Sequence, residues 1–399
     1  MKLVEEGYID APKGFKAYGT HCGIKKKKLD LGIITSNVPA TAAAVYTQNK
    51  NAAAPVMVTK QVVNEYQKLQ AIIVNSGVAN ACTGEQGVND AKKVQKELAK
   101  QLCVSHLLIG VASTGVIGPR LPVEKIETGI NQIDWSDYNP MNFHKSILTT
   151  DTTTKEICFE TVIQDKKVMM SGVAKGSGMI QPNMATMLAF ITTDAFISSE
   201  LLNELLKDIT NQTFNQITVD GDTSTNDMVV VMANGQSGIS EIKKESKEYD
   251  EFKEMFYQTC KILAKKIAQD GEGATKLIEV CVEGAKTKTS ANCIAKKVVG
   301  SNLVKAAMFG EDPNWGRIIC AVGNAGENIK TNSVDIFIEG VLVFEKGTPI
   351  MFDSTVLVEK LKKKEITINI NLQEGKASGK AWGCDLTYDY VRINSVYHT

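Results

Sequence analysis

Residues 175 to 191 read KGSGMIQPNMATMLAFI, a glycine-containing irregular segment that runs directly into an apolar one. Two glycines and a Pro-Asn pair favour a loop, and the apolar residues after them are typical of a strand. Thr186 therefore lies at a loop-to-strand junction where little else is polar. Taken alone, a threonine at a strand edge explains this position without any function.

The pair Ala185-Thr186 also has a chemical interpretation. If the junction is strained, the Thr186 hydroxyl can attack the Ala185 carbonyl, and hydrolysis of the resulting ester makes Thr186 a new N-terminus. Its α-amine, with an ordinary pKa of about 7.7–8.0, would lie beside its own hydroxyl and serve as general base at neutral pH. Such a nucleophile needs no Ser-His-Asp set, which suits a sequence with four dispersed histidines and no GxSxG motif.

A second loop can supply oxyanion donors. Residues 112 to 119 read ASTGVIGP and follow a predicted strand. The Thr114 hydroxyl and the Gly115 backbone N–H can converge there on a negative oxygen, although an ordinary strand-to-loop turn explains the same residues. Other polar clusters are equally open to interpretation as sites or as capped turns; they lie at 150–152, 270–275, 312–317 and 394–399.

The hydrophobic periodicity predicts an α+β fold. Before residue 194 we expect strands at 29–35, 70–74, 107–112, 156–163, 167–172 and 187–193, with helices at 88–102 and 122–133. Helices at 198–211 and 249–268 follow, then strands at 275–282, 306–310, 334–344 and 365–370 and helices at 289–300 and 354–363. Gln164-Asp165-Lys166 predicts a hairpin, and the 249–268 helix has an apolar stripe at helical spacing, formed by Phe252, Met255, Phe256, Leu263 and Ile267. Sequential strands joined both by hairpins and by helices predict mixed sheets covered by helices. We therefore expect a catalytic domain over 1–275 and a smaller C-terminal α+β domain over 276–399.

Composition excludes several classes of protein. The 45 basic and 45 acidic residues cancel, which argues against nucleic-acid binding by bulk charge. No apolar run is long enough for a membrane span, and no signal peptide is predicted. Neither a GxGxxG after a strand nor a Walker motif is present, which argues against nucleotide binding. Nine singly placed cysteines without a CxxC pair predict no metal site and no disulfides, but buried free thiols in a cytoplasmic protein.

Seven motifs resemble, in order, those of the ornithine acetyltransferase (ArgJ) family, and they extend over essentially the whole sequence. They are GFKA at 14–17 with GIK at 23–25, NSGVANACTG at 75–84, STG at 113–115, the run at 175–188, GEGATK at 271–276, DPNWGR at 312–317, and Thr399. A lone Ala-Thr pair carries little information, whereas seven ordered motifs favour the self-cleaving interpretation over a plain strand edge.

The resemblance implies a self-processing Thr-nucleophile fold (DmpA/ArgJ-like) that cuts itself into an α piece, 1–185, and a β piece, 186–399. Thr186 would take the acetyl group of N2-acetyl-L-ornithine and pass it to L-glutamate in a ping-pong reaction, with Thr114 and Gly115 as the oxyanion hole. Lys175 suits a substrate carboxylate, and Glu272 suits the amines of ornithine. The family's substrate contacts fall on Thr152, Lys175, Thr186, Glu272, Asn394 and Thr399.

The resemblance further implies no resident cofactor, acetyl-CoA as a candidate second acetyl donor, and cut pieces that assemble as α2β2 or larger. Three alternatives remain open at this point. The chain could be an ornithine acetyltransferase that does not use acetyl-CoA, an amidase or aminopeptidase with the same self-made threonine nucleophile, or an uncut binding or scaffold protein.

Overall fold

A computed structural model describes residues 1–181 and 187–396 of the chain. Within these ranges the strands are β1 (Lys2–Leu3), β2 (Phe15–Thr20), β3 (Leu31–Tyr46), β4 (Lys68–Val78), β5 (Ile109–Val116), β6 (Lys155–Ile163), β7 (Lys166–Lys175), β8 (Leu188–Thr193), β9 (Ile217–Thr218), β10 (Met228–Ala233), β11 (Leu277–Ala285), β12 (Asp335–Ile338), β13 (Val341–Glu345), β14 (Thr348–Pro349), β15 (Glu365–Asn371) and β16 (Ala377–Cys384). The helices are α1 (Ala54–Tyr66), α2 (Gly84–Leu102), α3 (Val123–Asn131), α4 (Pro140–Ser146), α5 (Ser199–Gln212), α6 (Lys247–Gln269), α7 (Lys288–Val299), α8 (Asn302–Phe309), α9 (Trp315–Gly323), α10 (Ser354–Leu361) and α11 (Tyr388–Val396).

The first sheet carries nine strands in the order β1-β6-β7-β8-β10-β3-β4-β5, with β2 paired to β3 beside this path. Strand β8 runs parallel to β10, and β4 runs parallel to β5. Strands β8 and β10 are buried along their whole length, as near-continuous apolar strands covered on both faces usually are. The segment after Thr186 therefore enters the centre of this sheet.

Helix α6 covers one face of the first sheet. Its predicted apolar stripe, which includes Phe252, Phe256 and Leu263, is completely buried and packs with residues of β6, β7 and β8. Ser246 caps the N-terminus by accepting a hydrogen bond from the Tyr249 N–H at 3.1 Å. The helix ends at Gln269, so it delivers the following polar loop to the edge of the sheet.

The second sheet has the order β14-β13-β12-β15-β11-β16-β9. Its apolar face forms a core with α7, α8, α9 and α10. Strand β9, from before residue 275, pairs with β16 in this sheet. The domain boundary at 275/276 stays a prediction. Strand β9 precedes this boundary in the sequence but belongs to the sheet that otherwise follows it.

The predicted α+β class with mixed sheets covered by helices is confirmed, as is the hairpin at 164–166, where Gln164 and Asp165 have φ of 51° and 59°. Two predicted strands are wrong. Residues 306–310 belong mostly to α8, because Ser301 caps a helix whose buried positions recur at helical spacing. Residues 334–344 form not one strand but the hairpin β12–β13, which turns at Glu339 and Gly340. A short apolar run alone does not distinguish these cases.

The nine cysteines are free, but the prediction that they are buried is wrong for four of them. Cys82, Cys103, Cys293 and Cys320 are exposed. Cys320 shows the physical reason, because it lies on the solvent side of α9 while Ile318 and Val322 face the core. In the part of the chain that the structure describes, no helix is both long and apolar enough to cross a membrane.

The contact between α6 and β7 gives a test of the fold. A methyl group added at Gly172 of β7 would lie 2.7 Å from Leu263 Cδ1 of α6. Gly172→Ala should therefore lower the free energy of unfolding by about 1–3 kcal/mol, because the helix must move off the sheet. The measurement is the urea midpoint. Gly323→Ala is the control, since no heavy atom lies within 4 Å of its added methyl; equal midpoints for the two variants would contradict this packing.

Candidate active site

A cavity of about 150 Å³ lies where several elements of the first sheet end. Its walls come from the ends of β5 and β7, the start of β8, the loop before β10, the loop after α6, and α11. Five of the residues predicted for the site line this one cavity: Thr114, Gly115, Lys175, Glu272 and Asn394. The structure therefore brings together side chains that are up to 280 positions apart in the sequence.

Two glycines shape the predicted oxyanion loop. Gly77 of β4 and Gly115 of β5 are partners in the parallel ladder, with φ of +107° and +131°. A Cβ at Gly115 would lie 2.3 Å from the Gly77 carbonyl carbon, so only glycine allows this approach. The close pairing carries the ends of both strands to the cavity wall, where Thr114 is 9% exposed.

Asn226 holds the same loop from the other side. Its side-chain amide donates to the Ala79 carbonyl at 2.6 Å and to the Ser113 carbonyl at 2.8 Å. The buried Asn226 side chain thereby ties the residue before Thr114 to the loop after β4. Asn226 was not among the residues predicted from the sequence. The available signal was the polar run DGDTSTND at 220–227, which directly precedes a fully apolar strand.

Lys25, from the predicted GIK motif, lies behind the two glycines. Its side chain would be 3.3 Å from a Cβ placed at Gly77, and its ammonium group donates to the Leu148 carbonyl at 2.6 Å. Burial lowers the pKa of Lys25 to about 8, against the attraction of the Asp30 carboxylate. Lys25 therefore anchors the backbone just before Thr149 and Thr150, both of which line the cavity.

Lys175, the last residue of β7, brings a positive charge to the cavity. The side chain is buried, and its ammonium group donates to the Thr114 hydroxyl at 3.3 Å. The next backbone N–H, that of Gly176, donates to the Asp151 carboxylate at 2.7 Å. The lysine thus contacts the predicted oxyanion loop directly and is positioned by the loop that follows α4.

A buried ion network supports this arrangement. Lys155 is 1% exposed and binds Asp151 at 2.7 Å and Asp270 at 2.5 Å. Asp151 also accepts the Gly176 N–H, while the main chain of Asp270 accepts the Ser177 hydroxyl at 2.7 Å. The Lys155 ammonium group therefore binds two segments directly, through Asp151 and Asp270, and these two residues in turn bind residues 176 and 177.

The charges around Asp151 determine its protonation. Burial alone would raise the pKa of Asp151, but the ammonium groups of Lys175 and Lys155 outweigh burial and hold this pKa well below its usual range. Asp151 is therefore ionised at neutral pH and compensates the positive charge of Lys175 beside the cavity.

Glu272 and Asn394 supply the acidic side of the cavity. The Asn394 amide donates to Glu272 Oε2 at 2.8 Å, and the Glu272 N–H donates to the Ser177 carbonyl at 3.0 Å. The Glu272 carboxylate lies so close to Gly178 that a Cβ there would be 2.3 Å from Glu272 Cδ. One small cavity therefore presents an ammonium group and a carboxylate, which complement the two charges of an amino acid.

Thr152 does not line this cavity. Its hydroxyl and its N–H both donate to Asp270 on the far side of the loop, and Thr149 and Thr150 face the cavity instead. Ala185, Thr186 and Thr399 lie outside the described residues.

Among 1–181 and 187–396, no group of three or more His, Cys, Asp or Glu side chains is arranged to hold a metal ion. In the 312–317 cluster, Asn314 caps α9.

Comparison with known proteins shows the family. The ArgJ family model matches residues 16–399, so the chain belongs to the ArgJ family and the resemblance is confirmed. An arginine biosynthesis bifunctional protein ArgJ from Staphylococcus epidermidis is 53% identical over 399 residues, which is 100% of both chains. The protein of that name from Bacillus subtilis is 50% identical over 393 residues, covering 98% of this chain and 97% of the relative.

A solved structure is also similar. The crystal structure of the arginine biosynthesis bifunctional protein argJ from Bacillus halodurans superimposes with a TM-score of 0.52 at 50% sequence identity. The match covers 53% of this chain and 100% of the Bacillus halodurans chain.

The ion network predicts how stability depends on Asp151. Asp151→Asn leaves the buried ammonium groups of Lys155 and Lys175 with only the Asp270 carboxylate of this network, so the free energy of unfolding should fall by about 3–5 kcal/mol at pH 7. Because the folded pKa is depressed, this contribution is complete above the unfolded value of about 3.9 and decreases as the pH falls below it. Urea unfolding of both proteins between about pH 3 and pH 8 measures this difference.

Asp208→Asn is the control for this measurement. Asp208 pairs with Lys253 at 3.5 Å, with both side chains largely in solvent, so its replacement should cost less than about 1 kcal/mol. The network would be contradicted if both variants lose the same free energy of unfolding, or if the loss in Asp151→Asn becomes larger as the pH falls.

Proposed function

We propose that the chain cleaves itself between Ala185 and Thr186 and then moves acetyl from N2-acetyl-L-ornithine to L-glutamate through an ester on Thr186. As a member of the ArgJ family, the chain is an arginine-biosynthesis acyltransferase that acts on small molecules. One observation carries the assignment to this site: the cavity that holds Thr114, Lys175 and Glu272 is also lined by Ile180 and Met187, which flank the segment 182–186.

The cleavage is an N-to-O acyl shift followed by hydrolysis. The Thr186 oxygen attacks the Ala185 carbonyl carbon, the C–N bond breaks, and the hydroxyl proton passes to the nitrogen. Water then adds to the ester, which releases the Ala185 carboxylate and regenerates the Thr186 hydroxyl. The product is a threonine whose amine can act as base toward its own side chain.

The size of the solved relative supports two pieces. The Bacillus halodurans chain is matched in full by 53% of the present chain. Residues 186–399 are 214 of 399, or 54%, whereas residues 1–185 are 46%. The solved chain therefore has the length expected for a β piece.

In the transfer reaction, the Thr186 amine takes the hydroxyl proton while the oxygen attacks the acetamide carbonyl. The negative oxygen of the intermediate accepts hydrogen bonds from Thr114 and the Gly115 N–H. Ornithine leaves with the returned proton, and the glutamate amine attacks the acetyl ester by the same path. Lys175 binds the substrate carboxylate, Glu272 with Asn394 binds the amines, and Thr399 completes the substrate contacts.

The same acetyl ester can be formed from acetyl-CoA, because the intermediate does not depend on the donor. The relatives' description as bifunctional supports acetyl-CoA as a second donor, and the mechanism needs no resident cofactor. The two pieces stay together and assemble as α2β2 or larger in the cytoplasm. The sheet supports the pairing, because β8 and β10 of the second piece lie between β7 and β3 of the first.

Intact mass tests the cleavage. Purified wild-type protein should give two pieces, of 185 and 214 residues, whereas Thr186→Ala should stay at full length because no oxygen can attack. The cut protein should make acetylglutamate from acetylornithine only when glutamate is present. Uncut but active wild-type protein, or acetate release without glutamate as the main reaction, would overturn the proposal.

A variant of Thr114 tests the oxyanion hole. Thr114→Ala should reduce kcat by about 10²–10³-fold, because one donor to the negative oxygen is lost. Its unfolding midpoint should stay close to that of the wild type. Thr128→Ala, on the exposed face of α3, should retain full kcat. Full kcat in the cut Thr114 variant would remove this residue from the mechanism.

A further inference from the structure

The described residues on both sides of 182–186 are anchored to one polypeptide segment. Upstream, the Gln181 carbonyl accepts the Thr223 hydroxyl at 2.8 Å. Downstream, the Met187 carbonyl accepts the Met228 N–H at 3.0 Å. Residues 182–186, which include the proposed scissile bond, therefore connect Gln181 to Met187. These two residues are hydrogen-bonded to Thr223 and Met228 of one short segment.

The Asp220 carboxylate makes two hydrogen bonds to the upstream side. Its Oδ2 accepts the Met179 N–H at 2.6 Å, and its Oδ1 accepts the Ile180 N–H at 2.8 Å. The Val219 N–H donates in turn to the Ile180 carbonyl at 2.6 Å. Each carboxylate oxygen thus holds one of two consecutive N–H groups, and bonds to an ionised acceptor are about twice as strong as neutral ones.

The backbone that Asp220 holds has an unfavourable conformation. Met179 has φ of +55°, in the left-handed region that side chains other than glycine, asparagine and aspartate seldom occupy. Such a conformation persists only where surrounding contacts determine it. The two bonds from Asp220, to this residue and to the next, provide those contacts.

We propose that Asp220 is a positioning residue for the self-cleavage: its carboxylate fixes Met179 and Ile180, and thereby the upstream end of the segment that contains the Ala185–Thr186 bond. The inference rests on the cleavage proposed above. Attack within a chain depends on how closely the reacting groups are held in line. Without the Asp220 carboxylate, Met179 and Ile180 are held less firmly, so the attack is slower although the Thr186 hydroxyl is unchanged.

Asp220→Asn tests the proposal. Asparagine has one acceptor oxygen, and its NH₂ group would face a backbone N–H, so one of the two bonds must be lost. The precursor should therefore be cut about 10- to 100-fold more slowly. The measurement is the appearance of the 185- and 214-residue pieces over time after cell-free synthesis of the full chain.

Asp222→Asn is the matched control, because this exposed carboxylate lies two residues further along the same loop. It should be cut at the wild-type rate. Thermal unfolding of the uncut precursors distinguishes positioning from general stability: the Asp220→Asn precursor should melt close to the uncut Thr186→Ala protein. Thr223→Val, which removes only the neutral bond to Gln181, should be folded and cut about 2- to 10-fold more slowly.

Cutting of Asp220→Asn at the wild-type rate would overturn the inference and leave the proposed function standing. The inference would also be overturned if the Asp220→Asn precursor does not fold and the Thr223→Val protein is cut at the wild-type rate. A wild-type chain that is never cut would instead defeat the proposed function itself.

Discussion

The structure depends on the burial of Lys155 between Asp151 and Asp270. Removing these charges from water is costly, so the arrangement holds only while each group keeps its partners. The backbone N–H of Gly176 and the hydroxyl of Ser177 complete the network. The network thus joins the loop before β6, the end of β7 and the loop after α6. Lys175 and Glu272 face one cavity because the segments that carry them share these contacts.

The proposed cut would divide the chain without dividing its core. Strands β8 and β10 follow residue 186, yet they lie between β7 and β3, which precede it. The site is composed in the same way: Thr114 and Lys175 come from the first piece, whereas Asn226 and Glu272 come from the second. Separation of the pieces would expose two fully buried strands, so the broken backbone and the assembled site are compatible.

Sequence reasoning succeeded where the signal is local. The apolar stripe of α6 repeats over enough residues to predict a helix, and the turn residues between β6 and β7 predict their hairpin. The apolar run at 306–310 is too short to distinguish a strand from a helix. The cavity residues were found through ordered motifs. Asn226 and Asp220 lie in the polar run at 220–227, but they were not predicted because that run does not show which of its side chains bond to partners 40 to 147 positions away. Thr152 turns toward Asp270 rather than the cavity, a direction that no sequence pattern specifies.

The most direct test of the account is the mass of the peptide that begins at residue 186. The cut enzyme is incubated with acetylornithine alone, rapidly denatured and digested. The account predicts that this peptide carries one acetyl group, and that the group disappears when glutamate is added and acetylglutamate forms. Transfer of acetyl to glutamate with no modified peptide beginning at residue 186 under any condition would contradict the account.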